Sequence, residues 1–163
     1  MSEIVPIVNN GDVIVGAKAR NELLPEDTYR VVGLWVVNQV GDILLARRQE
    51  HKQQQSGRWD TAAAGTVLDG ESYEQAMQRE TREELGLTDL QLTERAKLYV
   101  QDKPSYFCQT FTTVLASGQQ LAPDHTEVSA VKWFTHDRLL DELAQSPHDF
   151  TPGVVWAVQH LQN

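Results

Sequence analysis

A chain of 163 residues, 40% of them hydrophobic, has room for one domain with a buried core, and its formal charge of −9 with no offsetting basic stripe argues against a nucleic acid polymer as main partner. No stretch nears the roughly eighteen apolar residues of a membrane span, and Met1 to Val8 lacks the charged start and long apolar run of a signal peptide, so the expected location is cytoplasmic and off the membrane. The lone cysteine, Cys108, rules out a disulfide framework within the chain and is expected as a buried structural thiol.

Ile4 to Val8 and Val13 to Val15 flank Asn9-Asn10-Gly11-Asp12 and predict a hairpin, followed by a short helix from Ala19 to Leu24 ahead of Pro25. Its exposed edge could pair across a two-fold axis, which makes a homodimer one expectation. Arg30 to Val37 and Ile43 to Arg47 predict a second hairpin through Asn38 to Asp42, and the polar run Gln49 to Gly57 a loop. Trp59 to Val67 leads as a strand or extended turn into a helix. Further strands are expected at Gln91 to Gln101, Tyr106 to Leu115 and Glu127 to Phe134, with closing helices around Asp137 to Ala144 and Gly153 to Leu161. There is no internal repeat, linker or low-complexity tract. This order predicts one α+β layered domain over residues 1–163 with mixed strand pairing, residues 1–29 forming an N-terminal hairpin extension.

The helix after Val67 carries the chemistry. Ser72 and Gln75 make a capping-box pair, so the helix should begin at Tyr73, and Gly86 is the expected left-handed stop after Leu85. Tyr73, Ala76 and Met77 form an apolar stripe whose continuation meets Glu80, Glu83 and Glu84, within about 100° of the helix circumference. Acid is expected where core residues were due. Two like charges about 4 Å apart repel by roughly 4 kcal/mol at an effective dielectric near 20, so the cluster needs a proton or a counter-cation. An all-oxygen set favours Mg²⁺ or Mn²⁺ over zinc, and magnesium commonly binds substrate phosphates, so the substrate is expected to carry a phosphate or diphosphate. The competing expectation is a solvated acidic face with ordinary surface pairs. The interrupted apolar stripe, together with Gly65 behind a glycine-marked turn and Glu71, weighs against it.

Gly65, Glu71, Arg79, Glu80, Glu83, Glu84 and Gly86, with Leu87, resemble the Nudix box, G-x5-E-x7-R-E-U-x-E-E-x-G-U with U a bulky aliphatic residue, over residues 65–87. Thr81 departs from the first U, which weakens one packing contact and touches no ligand. The resemblance covers roughly Arg30 to Leu140 and implies a Nudix-type α/β/α sandwich around a mixed β-sheet. The function it implies is hydrolysis of a diphosphate linkage in a nucleoside diphosphate derivative, by water attack on phosphorus. By the same likeness Glu80, Glu83 and Glu84 hold Mg²⁺, while Arg79 and Glu71 brace the ligand-bearing helix. Gly65 brings backbone close to the site where a side chain would obstruct it. Glu83 and Glu80 are the first candidates for the general base, with Asp124 and Glu127 as the outside ones.

Leu44 to Lys52 and Gly57-Arg58-Trp59 look like the corresponding region of type I isopentenyl diphosphate isomerase, which shares the fold. Lining up Trp59 and Glu71 places Arg48 and Lys52 where the isomerase carries diphosphate-binding basic residues. It places Ala64 at the isomerase's catalytic cysteine and Thr66 at a metal-binding histidine. The expected protein is therefore a hydrolase on an isomerase-like branch, with an intact box and a small-molecule diphosphate substrate. The alternatives are an isomerase-like enzyme, or a nucleotide-binding Nudix module without catalysis. His51, His125, His136, His148 and His160 are scattered along the chain and expected at the surface.

Overall fold

The computed structural model describes residues 1–161. In chain order the strands and helices are β1 (Ile4–Val8), β2 (Ile14–Ala19), β3 (Thr28–Asn38), β4 (Ile43–Arg48), β5 (Trp59–Thr61), β6 (Ala63–Thr66), α1 (Tyr73–Leu85), β7 (Thr93–Val100), β8 (Ser105–Leu115), β9 (Val128–Phe134), α2 (His136–Gln145) and α3 (Pro152–His160). The path β5-β4-β3-β8-β7 forms the main sheet, with β6 also paired to β3 and β9 to β4. Strands β3 and β8 run parallel through eleven residue pairs, from Thr28 with Ser105 to Asn38 with Leu115, while the other pairings are antiparallel. The mixed sheet is as expected.

Period-two alternation along β3 builds the layers. Val32, Leu34 and Val36 point to one face, where they join Leu44, Phe111, Met77 and Leu85 under α1. Trp35 points to the other, where it meets Ile43, Leu45, Phe134 and Phe150 with Leu139 of α2 and Val154, Ala157 and Val158 of α3. Both faces are thus covered by helix, which makes an α/β/α sandwich of α+β class.

Helix α1 begins and ends where its caps dictate. Gln75 N–H donates to Ser72 Oγ at 3.1 Å, Ser72 N–H donates back to Gln75 Oε1 at 2.9 Å, and Gly86 stops the helix at φ +69. Its buried stripe, however, is Ala76, Met77, Thr81 and Leu85. The expectation that three glutamates replace the core is corrected: the stripe advances by four residues through Thr81 and Leu85, and the acids flank it. Thr81 fits because its hydroxyl donates to the Met77 carbonyl, so its own polar atom is paired in the core.

Three other expectations change. Trp59 to Val67 is two strands, because β5 pairs with β4 whereas β6 pairs with β3, with Ala62 N–H donating to Leu34 O between them. Gly65 lies inside β6 and marks no turn. The expected helix from Ala19 to Leu24 is a single 3₁₀ turn at Arg20–Glu22, since the Leu24 N–H is taken by Asp27 Oδ2 at 2.7 Å and Pro25 has no donor to extend it.

The N-terminal hairpin, with Val13 exposed just before β2 and Ile14 and Val15 exposed along it, is tied to the sandwich through its turn. Asp12 accepts from Arg30 Nε at 2.7 Å, from Lys97 Nζ at 2.7 Å and from the Tyr73 hydroxyl at 3.0 Å, so one carboxylate joins the hairpin to β3, β7 and α1. Burial opposes its ionisation, but the hydrogen bonds from Lys97, Arg30 and Tyr73 outweigh that and hold its carboxyl below the usual range. A depressed folded-state value adds stability above the unfolded value near 3.8, and that stability is lost as pH falls through the folded one. Asp12→Asn, which tolerates the positive φ of 60 here, should cost about 1.5–3 kcal/mol at neutral pH. Denaturant unfolding should show the gap between native and variant closing below about pH 4. A constant gap from pH 7 to pH 2 would remove the charge from the account.

Candidate active site

The site is built where α1 meets β6. An ideal Cβ on Gly65 would lie 2.0 Å from Glu80 Cδ, so the Glu80 carboxyl occupies the space that any other residue's side chain would need. That is the physical reason for glycine in a strand. One residue earlier, the Ala64 N–H donates to Glu84 Oε2 at 3.1 Å. The backbone of β6 therefore receives both carboxylates of the helix face.

Arg79 holds the arrangement together. Its Nε donates to Glu71 Oε1 at 2.7 Å and its Nη2 to Glu71 Oε2 at 3.1 Å, a two-pronged pair, while Nη2 also reaches the Thr66 carbonyl at 2.9 Å. Its Nη1 donates to Glu80 Oε1 at 2.7 Å and Glu83 Oε2 at 3.3 Å. Glu71 is fixed in turn by the Leu68 N–H at 2.9 Å. Burial works against the Glu71 charge, yet Arg79 and the Leu68 N–H prevail and hold its carboxyl below the usual range. Loop, strand and helix are thus clamped by one guanidinium.

The other two buried acids are raised. Burial lifts Glu80 despite Arg79 beside it. Burial, then the charge of Glu80, push Glu84 up to about 8. Burial disfavours the charge of both carboxylates, Arg79 offsets this in part for Glu80, and their hard oxygen donors suit Mg²⁺ or Mn²⁺. The donor chemistry therefore fits a divalent cation. Among the described residues no three acidic, imidazole or thiol groups form a ready cage. Glu83 lies on the rim with its side chain 54% exposed, and it and Glu80 both accept from Arg79. Gly86 at the helix end is required by its positive φ and by Ala122, whose Cβ would sit 2.7 Å from an added one.

The expected substrate-binding residues lie at the end of β4 and in the loop after it. Arg48 Nε donates to the Gln54 carbonyl at 3.1 Å and Nη1 to Asp60 Oδ2 at 3.3 Å. Lys52 forms an ion pair with Glu127, and Gln49 donates to the His125 carbonyl, so the loop after β4 is bridged to the loop before β9. That second loop is fastened to α1: Ala122 N–H donates to Leu85 O at 2.8 Å and Asp124 N–H to Glu84 O at 3.0 Å. Asp124 and Glu127 therefore stand beside the end of α1, and the charge of Glu127 is felt by Glu84. Asp60 was not singled out from the sequence, although an acid within the apolar run Trp59 to Ala64 was its one available signal. Its charge also reaches Glu84. Cys108 lies in β8, where burial and then the charge of Asp60 push its thiol up to about 12.

A mixed sheet between helices, with a glutamate-bearing helix braced by arginine against a glycine-notched strand, defines a Nudix-type fold. The family model described as the NUDIX domain matches residues 27–154, and the chain belongs to the Nudix hydrolase family. It is 34% identical to an uncharacterised Nudix hydrolase of Listeria innocua over 132 residues, 80% of this chain and 76% of that one. It is 27% identical to the isopentenyl-diphosphate Delta-isomerase of Corynebacterium diphtheriae over 172 residues, 97% of this chain and 92% of the relative. The fold is similar to the crystal structure of DR0079 from Deinococcus radiodurans, with a TM-score of 0.80, 26% identity and coverage of 96% of this chain and 98% of the other. No helix among the described residues is long and apolar enough to cross a membrane.

Proposed function

We propose that this protein is a Mg²⁺-dependent hydrolase that cleaves a diphosphate linkage in a nucleoside diphosphate derivative by attack of water on phosphorus. The observation that carries this is the pair Glu80 and Glu84, drawn against the backbone of β6 at Gly65 and Ala64, where burial opposes the charge of both. Glu80, Glu83 and Glu84 are the ligands in this proposal, and Mn²⁺ is an acceptable substitute. Bound there, the cation would neutralise phosphate charge and lower the pKa of an attached water. Arg79 and Glu71 keep the glutamates aligned. Glu83 and Glu80 are the first candidates for taking the proton of the water. Glu127 becomes available for the same task when Lys52 turns to an anionic substrate, because the two are paired to each other in its absence.

The experiment is a panel of nucleotide-linked diphosphates incubated with purified protein and Mg²⁺, scored for nucleoside monophosphate or inorganic phosphate. Turnover that stops with EDTA and returns with Mg²⁺ is expected. Folded protein that leaves a broad panel untouched with either Mg²⁺ or Mn²⁺ would sink the proposal.

Similarity to an isomerase over nearly the whole chain supports a second reading, in which the substrate is isopentenyl diphosphate. The residues speak against it. Ala64 has no thiol and meets Glu84 through its backbone N–H, and Thr66 has no imidazole and meets Arg79 through its carbonyl. Deuterium exchange into isopentenyl diphosphate would revive the isomerase.

A further inference from the structure

Asp60 is a strand residue whose carboxylate is fully occupied. Its Oδ1 accepts from the Thr151 hydroxyl at 2.9 Å and from the Thr61 N–H at 2.8 Å, and its Oδ2 accepts from Arg48 Nη1 at 3.3 Å. Thr151 is itself fixed twice over. It caps α3, accepting from Val154 N–H at 3.4 Å, and its own N–H donates to the Trp59 carbonyl at 2.8 Å, alongside the bridge between Trp59 and Phe150. Thr151 is buried, whereas Arg48 and Asp60 are half-buried with one side toward solvent.

We infer that Asp60 is a positioning residue, which, braced by the cap of α3, aims the Arg48 guanidinium at the anionic phosphate of the substrate. This rests on the function proposed above. The chain of contacts runs from α3 through Thr151 to Asp60 and from Asp60 to Arg48. Arg48 is gripped at two points, the Gln54 carbonyl on Nε and Asp60 on Nη1, which uses two of the five N–H donors of a guanidinium and leaves the rest for an anion. The grip matters because an arginine side chain loses considerable rotamer entropy when it binds, and a side chain already held in place has less to lose. The location is right as well. Arg48 is in register with Val128 of β9, next to Glu127. The loop leading into that strand is fastened to α1 by the Asp124 N–H donating to the Glu84 carbonyl at 3.0 Å, so Arg48 lies on the same side of the fold as the proposed metal-binding carboxylates. With both oxygens already accepting hydrogen bonds, Asp60 is suited to holding a cation and poorly placed to act as a base.

The test uses methylenediphosphonate, a diphosphate analogue that water cannot cleave, titrated into the full-length protein with Mg²⁺ by calorimetry. Native protein should bind it, and Asp60→Asn and Arg48→Gln should each weaken binding by about tenfold. The double variant should bind no more weakly than Arg48→Gln alone, because Asp60 acts only through that arginine. On any substrate of the panel that the native protein hydrolyses, Asp60→Asn should raise KM by a similar factor and change kcat by less than about threefold. Unaltered affinity in Asp60→Asn, additive losses in the double variant, or no binding by the native protein each overturns the inference. If Asp60→Asn does not fold, Asp60→Glu keeps the charge, displaces its oxygens by one methylene and carries the same comparison. Binding without any hydrolysis would leave the clamp standing and defeat the catalytic proposal alone, so the two failures are told apart.

Discussion

Glu84→Gln should leave a protein at least as stable as the native chain while lowering turnover by about 10²- to 10³-fold. Glutamine has the same shape, and its carbonyl oxygen can still accept the Ala64 N–H that now donates to Glu84 at 3.1 Å. What disappears is a charge that burial and Glu80 both disfavour, their joint effect being to push Glu84 up to about 8. Structure and function are therefore predicted to move in opposite directions. A residue kept for the fold would lose stability on replacement, whereas a ligand gains stability and loses the metal. Thermal unfolding in EDTA should show an equal or higher midpoint for the variant, and calorimetric titration should show weakened Mg²⁺ binding. Native rates, or unchanged Mg²⁺ affinity, would remove Glu84 from the metal site.

Gly65→Ala should be nearly as damaging by a different route. The added Cβ takes the space of the Glu80 carboxylate, since Glu80 Cδ would be 2.0 Å away and both of its oxygens within 2.5 Å. Either β6 moves off α1 or Glu80 swings out, giving up its 2.7 Å contact with Arg79. Because the displaced atoms are the far end of a flexible side chain, the cost sits at the low end of overpacking, about 1 kcal/mol. A displaced carboxylate should lower kcat by about 10²-fold, as misplacement by an ångström commonly does. Adding Glu80→Ala to this variant empties the notch, so stability should recover while activity stays lost. Gly65→Ala turning over at the native rate would show that the notch is not needed.

Local features of this site were legible because they depend on neighbours in sequence. The capping box of Ser72 and Gln75 and the left-handed Gly86 set both ends of α1 through contacts spanning a few residues. Arg30 to Val37 announced a strand, which the fold extends to Thr28–Asn38, and the box spacing announced the glutamates. The rotation of α1 about its axis was not legible from periodicity. Glu80 and Glu84 looked like the continuation of the Ala76 and Met77 stripe, and only packing against Val32, Leu34 and Phe111 chose Thr81 and Leu85 for the core and left Glu83 on the rim. The division of Trp59 to Val67 was hidden for a similar reason, since its halves answer to different partner strands.

By itself the sequence determined the helix, its ends, the box and its family. These rest on hydrogen bonds and spacings within about twenty residues, and such interactions are specified wherever the chain happens to lie. The tertiary structure decided which groups surround them. It set the Glu80 carboxyl in the space left by Gly65, paired Lys52 with Glu127 between two loops, and joined Asp60 to Arg48 and, 91 positions along, to Thr151. Contacts of that range depend on how sheet and helices stack, and no periodicity in the chain encodes them.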